Sequence, residues 1–161
     1  MKRFCVIPLL STVTVLLPAV SQAQQPAGPA SSLNVASLPF SAGIELNNAF
    51  YVAGHLGVDL TAAVKAPPAD PEEEARMVLN SVEKTLREAN MSMDDLVHVE
   101  IYCTDLKLYS AFNKVYASTF HKPYPARSFI GVDQLLFGAH FEVTGIAVRH
   151  AAQKKKPITA Q

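Results

Sequence analysis

Between residues 70 and 90 the apolar side chains recur at a spacing of three and four. Ala75, Val78, Leu79, Val82, Leu86 and Ala89 line one face. That period predicts an amphipathic α-helix from Asp70 to Asn90. Its start signals agree. Asp70 can cap, Pro71 suits the first helical position and Glu73 completes a capping-box pattern. Glu72, Glu73 and Glu74 sit where the helix dipole favours negative charge. Further on the pattern changes to alternation. Val97, Val99, Ile101 and Cys103 fall on one side, with His98, Glu100 and Tyr102 on the other, which predicts a half-buried strand. Leu106 to Phe120 reads as a second helix, with Phe112, Val115, Tyr116 and Phe120 near one stripe. Ser128 to Val132 and His140 to Arg149 read as strands. Gly43 to Leu46 and Ala49 to Gly54 read as a hairpin turning at Asn47-Asn48.

The order is β-β-α-β-α-β-β, an α+β mixed sheet with two helices packed on one face. The other face then carries Tyr51, Tyr102, Ile146 and Val148 among polar residues. With no helix left to cover it, self-association is expected there.

The two ends follow neither pattern. Met1-Lys2-Arg3 is basic, Cys5 to Val20 is apolar but broken by Pro8 and Pro18, and Ser21-Gln22-Ala23 supplies small residues. Residues 1–23 therefore predict a signal peptide, and with it export to the periplasm or beyond. The apolar run is too short for a membrane span, so no membrane association is expected after cleavage. Residues 24–37 are rich in proline, alanine and serine and read as a flexible linker. The domain is expected over residues 38–150, followed by a disordered tail, 151–161, that contains Lys154-Lys155-Lys156.

Composition narrows the function classes. The chain has 161 residues, enough for one domain, with 14 basic against 14 acidic side chains. Loss of Lys2 and Arg3 on cleavage leaves it slightly acidic. Nothing draws it to nucleic acid, and a ribonuclease reading fits poorly without a basic stripe. Of Cys5 and Cys103, only Cys103 would remain. It reads as a small core residue. The sequence contains no HExxH, CxxC, GxxxxGK[ST] or GxSxG, and its five histidines show no pair at helical ligand spacing. No metal and no cofactor are expected.

One cation stands out. Arg127 follows the turn-forming Pro125-Ala126 and leads into a strand. On its own such an arginine is either a surface ion pair or an anion anchor. The surrounding segments bear on the choice. "LPFSAGIELNNAFYVAGHLGVD", "VLNSVEKTLREANMSMDDLVHVEIYCTDL", "FNKVYASTF" and "PARS", with Glu142 in the last strand, together resemble the RidA family of enamine/imine deaminases across nearly the whole domain. The resemblance implies a chorismate-mutase-like fold and a homotrimer with sites between subunits. It implies hydrolysis of a small 2-imino or enamino carboxylic acid to a keto acid and ammonia. Arg127 would hold the substrate carboxylate, which its planar fork can bind bidentately. Glu142 would manage the attacking water. Asn113 matches a family asparagine near the site, and backbone groups at Ser128-Phe129 would complete the polar contacts.

The chain also departs from the family pattern. Phe40 stands where the resemblance implies a tyrosine, Ala53-Gly54-His55 where it implies Ser-Gly-Gln, and Phe129 where it implies a cysteine. Leu135-Leu136 replaces Leu-Pro. Phe129 is expected to reshape the pocket, and a steric change of that kind redirects substrate choice. His55 is either a titratable group at the rim or a hydrogen-bonded strand-end histidine. The alternative function is a trimer that captures a small carboxylate without turnover.

Overall fold

A computed structural model describes residues 39–153 together with 155, 156 and 158. The expected signal peptide and linker lie outside the described residues. The strands are β1 (Gly43–Leu46), β2 (Ala49–Leu56), β3 (Leu96–Cys103), β4 (Ala126–Gly131) and β5 (Phe141–Val148). The helices are α1 (Pro71–Glu88) and α2 (Tyr109–Thr119). The sheet runs β1-β2-β5-β3-β4, so the last strand in sequence is the middle one in space. β3 and β4 are parallel, joined through α2, and all other neighbours are antiparallel. The α+β reading and the element order hold.

Local chemistry sets the boundaries. The β1–β2 turn places Asn47 at φ 57°, a left-handed conformation that asparagine tolerates. The Asp70 side chain accepts from the Glu72 amide at 3.0 Å and Pro71 opens α1. At the other end Asn90 takes φ 54°, and the Asn90 and Met91 amides return to the carbonyls of Arg87 and Leu86. This double bond closes the helix at Glu88, two residues before the expected end. Leu106–Leu108 form a 3-10 turn, so α2 begins only at Tyr109.

The predicted stripe of α1 is the core. Ala75, Val78, Leu79, Val82 and Leu86 are all buried, against Val99, Ile101, Cys103, Phe112, Phe141 and Val143. Cys103 is a free, buried thiol, and burial pushes its pKa up. Val97 departs from the expected alternation. A register shift between Leu96 and His98 inserts one residue, so Leu96 takes the buried place instead.

Glu74 is a further departure. It is fully buried, unlike its neighbour Glu73. Its Oε1 accepts from the backbone amides of His140 at 2.6 Å and Phe141 at 3.0 Å, and its Oε2 lies 2.7 Å from His140 Nδ1. With the carboxylate ionised, that ring nitrogen carries the proton. A Cβ on Gly57 would collide with the Glu74 side chain and its carbonyl oxygen. Gly57 thus leaves room for a carboxylate that fastens the start of β5 to α1.

The expected tail is corrected at its start. Ala151–Gln153 form a helical turn with Ala151 buried, and the Lys155 amide donates to the Ala151 carbonyl. Among the described residues no helix is long and apolar enough to cross a membrane.

Candidate active site

Arg127 is the second residue of β4, inside the strand rather than before it. It pairs with Val99 of β3, and residues paired across a ladder share a face. Val99 is buried under the helices, so Arg127 projects to the helix side at the edge of the sheet. There α2 meets it. Nη1 donates to Asn113 Oδ1 at 2.6 Å and Nη2 to the Tyr109 hydroxyl at 3.2 Å. The guanidinium carbon lies 4.8 Å from the Tyr116 ring centre, 5.6 Å from that of Tyr109 and 5.9 Å from that of Phe129. Those distances suit cation–π attraction. Tyr116 is buried and its phenol is pushed up to about 12, so it stays neutral.

The charge of Arg127 is not neutralised locally. Among the described residues no carboxylate lies within ion-pair distance of it. Two of its five N–H donors serve neutral acceptors, and three remain. A surface ion-pair arginine has a different environment. A half-buried guanidinium, fixed in place and still charged, suits an anion.

Phe129, two residues on, lies on the same side. It meets Tyr109 edge to face at 4.9 Å and Phe112 at 5.6 Å. It packs against the core as well as bordering Arg127.

Glu142 is elsewhere. It pairs with Tyr102 of β3 and Leu56 of β2, and so projects from the open face of the sheet. Partial burial raises its pKa above the ordinary carboxylate value. Gly54 lies beneath it: a Cβ there would collide with Glu142 Oε1. The bulge between Val52 and His55 creates this arrangement. Phe50 and Val52 face the core, and strict alternation would send residue 54 there too. The extra residue reverses the parity, so Gly54 opens toward Glu142 and His55 turns inward. His55 Nε2 lies 3.2 Å from Thr85 Oγ1 on α1, and burial lowers the pKa of the ring. His55 is therefore the hydrogen-bonded strand-end histidine of the two readings, turned away from the Glu142 side.

Within one chain the expected site residues do not come together. Arg127, Asn113 and Phe129 form one group on the helix side. Glu142 and Gly54 form another on the open face. Ser128 pairs with Glu100 and lies on the open face too, while Phe40 is 62% exposed before β1. Tyr109 was missed by the sequence reading, although it lies four residues before Asn113, one helical turn away. No group of three or more His, Cys, Asp or Glu side chains suited to a metal ion occurs among the described residues.

The family model described as Endoribonuclease L-PSP matches residues 31–149. The chain belongs to the RidA family. One RidA relative, Protein MMF1, mitochondrial, from Saccharomyces cerevisiae, is 35% identical over 113 residues, 70% of this chain and 77% of that one. Another, 2-iminobutanoate/2-iminopropanoate deaminase from Capra hircus, is 30% identical over 111 residues, 69% of this chain and 80% of that one. The crystal structure of Escherichia coli TdcF with bound serine superposes with a TM-score of 0.64 at 29% identity, over 69% of this chain and 88% of that one. The mixed sheet with two helices is thus the RidA fold. The expectation of export is corrected here. A relative that carries a compartment in its name, Protein MMF1, is mitochondrial, not periplasmic or secreted. A basic start followed by an apolar run does not by itself fix a compartment.

Proposed function

We propose that this protein hydrolyses a small reactive 2-imino or enamino carboxylic acid to the keto acid and ammonia, in a homotrimer. The observation that carries the reading is Arg127, a charged, half-buried fork held only by neutral acceptors. Its three free N–H donors suit the substrate carboxylate. The name of the goat relative, an imine deaminase, and the serine bound to TdcF support a small amino-acid-derived ligand.

Glu142 supplies the base. Burial raises its pKa, which strengthens it as a proton acceptor. It takes a proton from water as the water oxygen bonds to the C=N carbon. The C=N electron pair moves to nitrogen, which takes the proton that Glu142 has just accepted. The hydroxyl of the adduct then gives its proton to Glu142, which passes it to the amine nitrogen as the C=O bond forms and the C–N bond breaks, releasing ammonia and leaving the keto oxygen from water. Because Arg127 and Glu142 lie on opposite faces of one sheet, this chemistry needs Arg127 of one copy beside Glu142 of another. The open face, with Ile44, Tyr51 and Ile146 side by side across three strands, supports such a contact. RNA cleavage, named in the description of the family model, finds no support in the balanced charge of the chain.

Ammonia release from freshly generated 2-imino acids tests the proposal. Glu142→Gln should keep binding and lower turnover roughly 10²–10⁴-fold. Arg127→Lys should weaken binding of a keto acid by about 1.5–3 kcal/mol. A wild-type protein that binds the keto acid but releases no ammonia from any imine supports the second reading, capture without turnover.

A further inference from the structure

Tyr109 is the unexplained member of the Arg127 group. The residue is 46% exposed, and its hydroxyl accepts from Nη2 at 3.2 Å. That bond uses an oxygen lone pair and leaves the phenolic proton without a protein acceptor among the described residues. The ring is fixed edge-on against Phe129, so the hydroxyl has a defined position. The Asn113 side chain and then the Arg127 charge hold the phenol below its usual pKa, which makes it a better donor.

The geometry of Nη2 sets what this donor can reach. Its two N–H bonds diverge by about 120°, one toward Tyr109 and one free. An oxygen accepting the free proton at ordinary length stands about 5 Å from the Tyr109 oxygen. One carboxylate oxygen cannot touch both. With both carboxylate oxygens held by the free N–H groups of Nη1 and Nη2, the next acceptor within reach of the phenol is an oxygen or nitrogen on the adjoining carbon. We infer that Tyr109 reads the 2-position of the ligand, donating its phenolic proton to the keto oxygen or imine nitrogen next to the Arg127-bound carboxylate. Tyr109 is thus the specificity-determining residue that separates 2-oxo and 2-imino acids from plain carboxylic acids. This rests on the Arg127 anchor of the proposed function.

Two probes of equal charge decide it, pyruvate and propionate, titrated calorimetrically into the full-length protein. Wild type should bind pyruvate more tightly. Tyr109→Phe keeps the ring packing and should weaken pyruvate about tenfold, the scale of one hydrogen bond to a charged ligand, with propionate unchanged. Equal weakening of both acids, or of neither, would overturn the role of Tyr109 while leaving the Arg127 anchor intact. Wild-type protein that binds neither acid would overturn the anchor and this inference with it. Arg127→Lys, which should weaken both acids alike, marks the difference.

Discussion

Removing the Glu74 carboxylate should be among the most damaging single changes in this domain. The side chain is fully buried and accepts from two backbone amides and faces one imidazole nitrogen. Glu74→Ala strands the His140 and Phe141 amides where β5 begins. Each buried donor left unpaired costs about 1–3 kcal/mol. A cavity is added where the carboxylate stood. The expected loss is about 3–5 kcal/mol, the range for breaking a buried charged network. Glu74→Gln behaves differently. Its amide oxygen still accepts from both backbone donors, and its NH₂ can donate to the other His140 tautomer, so the loss should be about 1–2 kcal/mol. Urea unfolding followed by circular dichroism, at one fixed protein concentration, measures both. If Glu74→Ala lies within 1 kcal/mol of wild type, the clamp is not what holds β5 against α1. If Gln costs as much as Ala, the charge rather than the acceptor geometry is responsible.

Gly54→Ala should leave stability within about 1 kcal/mol, because the side chain it meets is the flexible end of Glu142. It should nevertheless lower ammonia release at least roughly tenfold by displacing that carboxylate, and a variant with full turnover would separate Glu142 from the chemistry. The pH–rate profile should show an acid limb above the ordinary glutamate range, since burial raises the Glu142 pKa. The same shift acts on stability. A folded pKa above the unfolded one gives a contribution that is present at low pH and lost as pH rises through the window between the two. Glu142→Gln should therefore remove that loss, measured as the pH dependence of the urea midpoint. Tyr51→Glu, placing a charge between Ile44 and Ile146 on the open face, should convert the assembly to monomers in native mass spectrometry, and an unchanged oligomer would move the contact elsewhere.

Much of this was legible along the chain because burial follows period. The α1 stripe and the alternation of Val99, Ile101 and Cys103 are direct consequences of helix and strand geometry. Glu74 was legible too, four residues before Val78 and eight before Val82 on the same stripe, but an acidic triplet at a helix start invites a dipole explanation for all three. The bulges were not legible. Each adds one residue without changing composition, so Val97 went to the wrong side and the side of His55 stayed open. The separation of Arg127 from Glu142 needs the sheet order. Each strand states its own parity, but only Val99 opposite Arg127 and Tyr102 opposite Glu142 show that the two parities oppose.

That opposition has a genetic consequence. If each site joins Arg127 of one copy to Glu142 of its neighbour, no chain owns a whole site, and two impaired alleles can repair one another. An Arg127→Lys chain retains a good glutamate half, and a Glu142→Gln chain retains a good arginine half. Refolded together, they form mixed rings of three in which one junction unites the two intact halves. Activity depressed in either parent should rise in the mixture.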